Sequence, residues 1–166
     1  MKIRIALFSG LMLLLSGCGF SPMYAPATTG AGAIGPVNIS QIDGKAGHVL
    51  KTELDRILSV EDGRGTPPMQ LEITLQESII RQGIRLDESA TRAELVLVAN
   101  YVLWPPNGGQ ELRGSVTSTV NYDIPTAAFG EIAAQDDARE RAAENLAERF
   151  RAELALRLAA QRNAHR

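Results

Sequence analysis

The chain has 166 residues, with 17 Lys and Arg against 19 Asp and Glu, 45% hydrophobic residues and a single cysteine. That length holds one modest domain with a real core, and the slight acidity argues against bulk nucleic-acid binding. One cysteine rules out any disulfide within the chain, so packing alone must hold the domain.

At the N-terminus, Lys2 and Arg4 form a short basic segment and Ile5 to Leu15 an apolar one, broken only by Ser9 and Gly10. Small residues then precede Cys18, as export and processing require. A membrane span would need about twenty apolar residues to cross the hydrocarbon layer, and Gly17, Gly19 and Pro22 end this run far earlier. Leu15-Ser16-Gly17-Cys18 resembles the bacterial lipoprotein box. That resemblance implies cleavage before Cys18, an S-diacylglycerol on its sulfur and an acyl group on the new amino terminus, with no other cofactor. Several acyl chains make a stable anchor where one binds only marginally. Residues 1–17 are therefore read as a signal peptide. Its removal takes away Lys2 and Arg4 and no acid, leaving 15 basic against 19 acidic side chains, a net charge of −4.

Residues 18–36, rich in Gly, Ala, Pro and Thr, have the composition of a tether, with Phe20, Met23 and Tyr24 as its large exceptions. The domain proper is expected over 37–166. Val37 and Ile39 alternate with polar neighbours and predict a short strand. Ala46, Val49, Leu50, Leu54, Ile57 and Leu58 fall on one helical face, with Gly63 and Gly65 beyond the stop and Pro67-Pro68 closing the unit. Leu71, Ile73 and Leu75 alternate with Gln70, Glu72, Thr74 and Gln76, predicting a strand with one wet face.

From Leu95 to Trp104 both faces are apolar: Leu95, Leu97, Tyr101 and Leu103 on one side, Val96, Val98, Val102 and Trp104 on the other. Such a strand is covered on both faces. Trp104-Pro105-Pro106-Asn107-Gly108-Gly109 is turn chemistry for a hairpin tip. Leu112, Val116, Val120, Tyr122 and Ile124 then alternate with polar residues until Pro125. Ala138, Ala142, Ala143, Leu146, Phe150, Leu154 and Leu158 form the stripe of a last helix reaching about Ala160, with Asp136 and Asp137 in its early turns. Asp137–Arg141 and Glu153–Arg157 are spaced as exposed ion pairs on it.

The order βαβββα predicts an α+β domain: a single four-stranded mixed sheet with two helices packed on one face. The second face, with Val96, Val98, Val102 and Trp104, is then left for something else to cover.

Enzyme chemistry is poorly represented. His48 opens the first helix and His165 lies at the C-terminal end, no His, Cys and carboxylate cluster has metal-ligand spacing, and there is no nucleophile elbow or phosphate-binding glycine loop. Glu53, Asp55, Glu61 and Asp62 could supply an acid and a base, but acids along a helix edge normally face solvent. The chain is therefore read as not an enzyme. The connection from Ser78 to Arg92 instead gathers Arg81, Arg85 and Arg92, whose guanidinium groups suit phosphates, although Asp87 and Glu88 could neutralise them locally.

The lipoprotein box, the opening Cys18-Gly19-Phe20-Ser21-Pro22-Met23-Tyr24, Ala90-Thr91-Arg92-Ala93-Glu94-Leu95 before the central strand and Asp137-Ala138-Arg139-Glu140-Arg141-Ala142 on the last helix occur in an order that resembles the LptE family of lipopolysaccharide-assembly lipoproteins. The resemblance implies a lipid-anchored, periplasm-facing outer-membrane protein that assists assembly of the β-barrel LptD and plugs it during lipopolysaccharide transport. It implies lipopolysaccharide contacts at Arg81, Arg85 and Arg92, and makes Val96, Val98, Val102, Trp104, Pro105 and Pro106 candidates for contacting the barrel. A lipid-anchored binding module whose apolar face serves another envelope partner is the alternative. Gly19 stands where an inner-membrane retention signal would often place Asp, which favours the outer membrane.

Overall fold

A computed structural model of the chain describes residues 34, 36–58, 67–84 and 90–164. The expected signal peptide, Cys18, nearly all of the expected tether, Glu61, Asp62, Gly63, Gly65, Arg85, Asp87 and Glu88 lie outside the described residues. Within them, β1 (Val37–Ile39) leads to α1 (Lys45–Leu58), followed by β2 (Met69–Ile84), β3 (Ala90–Trp104), a 3-10 turn (Pro106–Gly108), β4 (Leu112–Asp123) and α2 (Ala128–Ala164). The strands form one sheet in the order β1-β2-β3-β4, with β1 parallel to β2 and the other pairs antiparallel. This is the expected α+β architecture with order βαβββα.

The core lies between one sheet face and the helices. Leu71, Ile73, Leu95, Leu97, Tyr101, Leu103, Val116 and Val120 point into it from the strands, meeting Leu50, Leu54 and Leu58 of α1 and Leu146, Phe150 and Leu154 of α2. The leucines of α1 recur every four residues and so share one side of the helix. Gly47 sits where the chain entering α1 folds back on itself. A Cβ there would stand 2.8 Å from both the Cγ2 and the carbonyl oxygen of Ile42, and Ile42 is itself fully buried. On α2, Ala138, Ala142, Ala143 and Ala147 are buried, and their small side chains let the helix approach its neighbours closely. Phe150 then meets Tyr101 of β3 edge-on, with ring centroids 4.8 Å apart.

Two boundaries differ from the sequence reading. The segment from Ser78 to Arg92, expected as a connection, is mostly strand: β2 runs to Ile84 and β3 begins at Ala90. Its alternation fades because this part of β2 is a sheet edge at the margin of the core: Arg81 is exposed although its partner Ala93 on β3 is fully buried. Helix α2 also begins at Ala128, more than two turns before Asp136. Phe129 and Ile132, in those first turns, are 88% and 57% exposed, so they add nothing to the stripe that marks the rest of the helix. The first-turn acid is Glu131, not Asp136 or Asp137. Asp136 instead joins three elements: it accepts from Lys45 of α1 at 3.2 Å and from Arg139 at 2.8 Å, and Arg139 also pairs with Glu77 of β2 at 2.9 Å.

Candidate functional site

The outward face of the sheet is fixed by register. Val96, Val98 and Val102 of β3 stand opposite Ser78, Gln76 and Glu72 of β2 and opposite Thr119, Thr117 and Arg113 of β4. An apolar stripe on the central strand is thereby flanked by hydroxyl, amide and charged side chains. Val96, Val98 and Val102 are half-buried and Trp104 is 37% exposed. Among the described residues nothing packs over this face, so these valines face solvent between their polar neighbours. The expectation that β3 carries two apolar faces holds; only one of them is covered by the rest of the described chain.

Trp104 closes the stripe next to the tip. Its indole lies near the Glu111 carboxylate, which accepts from Arg113 Nε at 2.8 Å. The Arg113 bond, ahead of the influence of Trp104, holds Glu111 below the usual carboxylate range. Pro105 and Pro106 lie beside Trp104 and are half-buried. The predicted tip is thus a turn whose aromatic side chain stands partly exposed beside it.

The arginines are not gathered into one patch. Arg81 and Arg92 stand next to each other across β2 and β3, Arg92 being paired with Gln82, so the alternation of side chains sends them to opposite faces. Arg81, on the helix side, bonds Glu131 of α2 at 2.9 Å. Arg92, on the open side, reaches Asp123 of β4 at 3.3 Å. Arg85 lies outside the described residues. Of the acids considered for catalysis, Glu53 is paired with Arg56 and Asp55 with Lys51, and Glu61 and Asp62 are not described. Among the described residues no group of three or more His, Cys, Asp or Glu is placed to hold a metal ion, and no helix is long and apolar enough to cross a membrane.

Sequence reading missed what α2 does to the edge of β4. Arg149 donates to the carbonyl of Thr117 and Arg157 to that of Arg113, each at 2.8 Å. The Glu153–Arg157 pair expected on a solvated helix face is formed, but Arg157 also reaches the sheet. Spacing of eight residues on a helix gives no local signal for such a role.

No protein-family model matches the chain, and no curated protein matches it by sequence. Solved structures do match. A Caulobacter crescentus CB15 protein described as a lipoprotein is 28% identical, with a TM-score of 0.60 over 74% of this chain and 90% of that one. A minor lipoprotein from Acinetobacter baumannii, 14% identical, shares the fold with a TM-score of 0.51 over 74% of this chain and 95% of that one. The rare lipoprotein B of Shewanella oneidensis, 12% identical, covers 70% of this chain and 96% of its own with a TM-score of 0.47. The Acinetobacter structure shows the fold alone, while the Caulobacter one, described as a lipoprotein, agrees with a lipid-anchored protein of the cell envelope.

Proposed function

We propose that this chain is a non-enzymatic outer-membrane lipoprotein, anchored through Cys18, that assists assembly of the LptD barrel and plugs it during delivery of lipopolysaccharide to the outer leaflet. The observation that carries the reading is the uncovered sheet face, a valine stripe flanked by Ser, Thr, Gln and charged side chains, on a domain whose core is packed against the opposite face. A barrel lumen is polar rather than lipid-like. A face of mixed small polar and β-branched residues suits it better than a purely apolar one, which would suit the bilayer.

Dimensions support the same reading. With 37 residues, α2 is about 55 Å long, and the 16 residues of β2 span about 50 Å. Both exceed the roughly 40–45 Å thickness of a bilayer with its headgroups, so one domain can fill a lumen from end to end. Lipopolysaccharide phosphates are assigned to the arginines at the β2–β3 hairpin end. Because Arg81 and Arg92 face opposite sides, they would make two separate contacts and not a single clamp.

Val98→Lys tests the central contact. Val98 lies mid-stripe between Gln76 and Thr117, so a lysine there leaves the core untouched and places a charge in the proposed interface. Recovery of the barrel with the tagged variant is expected to fall at least several-fold with no change in its melting temperature. Undiminished recovery removes the open face from the interface. If depletion of the protein leaves surface lipopolysaccharide and barrel assembly normal but weakens the envelope, the chain serves a different partner.

A further inference from the structure

The two edges of the sheet are treated differently. Met69 N donates to Pro36 O and Ser40 N to Leu71 O, each at 2.9 Å, so the odd-numbered residues of β2 turn their N–H and C=O groups away from β3. The β2–β3 register runs unbroken from Gln70 to Gln82. Carried across the sheet, the same alternation turns the odd-numbered residues of β4 toward its own outer edge. Arg113 and Thr117 are among them, and their carbonyls are the ones taken by Arg157 and Arg149. Eight residues of helix rise about 12 Å and four residues of strand about 13.6 Å, so the two guanidinium groups match the spacing of the two carbonyls. Side chains thus occupy the β4 edge, as edge strands in soluble proteins are commonly protected.

The β2 edge has no such cover. Strand β1 pairs with β2 only from Met69 to Leu71. From Ile73 to Arg81 the outward backbone groups have no partner among the described residues.

We propose that this edge pairs antiparallel with the same edge of a second copy, centred on Ile79. The open edge is self-complementary. Glu77, Ile79 and Arg81 alternate along the open edge with their side chains on one face. Only the register centred on Ile79 sets Glu77 opposite Arg81 of the second copy while Ile79 meets Ile79. Centring on Glu77 or on Arg81 opposes like charges, and the registers between set charges against apolar side chains, both of which disfavour pairing.

The pairing exchanges about six backbone hydrogen bonds between residues 77, 79 and 81 of the two copies. It extends the ion pairs Arg139–Glu77 and Arg81–Glu131 into one alternating row. On the open face it makes diagonal neighbours of the two Ile80 side chains, each 49% exposed in the single chain. The inference concerns the chain on its own and does not rest on the barrel reading.

The test is sedimentation equilibrium of the whole chain after residue 17, carrying Cys18→Ser so that neither lipid nor a disulfide drives association. The parent is expected to form a concentration-dependent dimer. Glu77→Arg and Arg81→Glu each turn two cross-strand attractions into repulsions and should weaken association roughly tenfold to hundredfold, whereas an equimolar mixture of the two restores both attractions and should re-form the dimer. Because each substitution also removes an ion pair to α2, a second measurement uses neither residue. Ser78→Cys mixed with Ile80→Cys should oxidise to a crosslinked dimer much faster than Gln76→Cys mixed with Ile80→Cys. A parent that stays monomeric at every concentration, a mixture no better associated than its components, or equal crosslinking of the two cysteine pairs overturns the proposal.

Discussion

Tyr101→Phe should stabilise this protein, although it removes a polar group from a tyrosine in the centre of the fold. The ring is 2% exposed and packed edge-on against Phe150, but its hydroxyl is buried without a hydrogen-bond partner among the described residues. A buried, unpartnered hydroxyl costs about 1–3 kcal/mol of desolvation, while phenylalanine keeps the ring and its contacts. A gain of about 1 kcal/mol is expected, which for a domain of this size raises the melting temperature by about 3–4 °C.

The strand opposite supplies the control. A Cβ on Gly114 would lie 2.6 Å from the Tyr101 hydroxyl oxygen, 2.7 Å from Cζ and 2.8 Å from Cε1, so Gly114→Ala should cost about 1–3 kcal/mol by overpacking. Most of that penalty should persist in the Tyr101→Phe background, because two of the three close contacts are to ring carbons. Thermal and urea unfolding of the four proteins, monitored by far-ultraviolet circular dichroism, reads all three quantities. A Tyr101→Phe variant destabilised by 1 kcal/mol or more would show that the hydroxyl is hydrogen-bonded after all and refute the reasoning.

Burial, first among the causes, pushes both Tyr101 and Tyr122 above the ordinary tyrosine value. A raised folded pKa means stability that is complete below the unfolded value of about 10 and is lost as pH rises further; unfolding titrations should show a steep alkaline loss that Tyr101→Phe makes shallower. Asp136, whose carboxyl is held below its usual range by the bonds from Lys45 and then Arg139, contributes in the opposite sense. Its stabilisation is present above the unfolded aspartate pKa and is lost as pH falls through the lowered folded one, and Asp136→Asn should reduce the acid sensitivity in the same titration. Gly47→Ala should cost about 2 kcal/mol or more in urea unfolding, because the new methyl meets a backbone carbonyl that cannot swing aside as a side chain would; an unchanged midpoint would contradict the close approach of Ile42.

What the sequence discloses about this fold follows the reach of the core. Leu50, Leu54 and Leu58 repeat every four residues because α1 is packed along its length, and Val116, Val120 and Tyr122 alternate strictly because β4 has one face in the core and one in water. The two-sided apolar pattern of β3 likewise marks a second face that the rest of the described chain does not cover. Where elements outrun the core the pattern is silent. The outer half of β2 carries Glu77, Ser78 and Arg81 because it lies at the edge of the sheet, where the core is already closed by Ala93, Leu95 and Leu97 of β3, and the first turns of α2 carry exposed Phe129 and Ile132. The arginines show a different limit. Composition brings Arg81 and Arg92 into one short segment, but only the register reveals that they leave the sheet on opposite faces, and only tertiary packing reveals that Arg149 and Arg157 are bonded to the edge of β4.

The central claim is that the lipid-anchored domain occupies the lumen of the lipopolysaccharide-assembly barrel, and its most direct test is purification of the tagged, lipidated protein from detergent-solubilised outer membranes. LptD should come with it in roughly equal amounts, as a single plug in a single barrel requires. Recovery of the protein without any large outer-membrane barrel, under conditions in which an unrelated barrel complex stays intact, would contradict it.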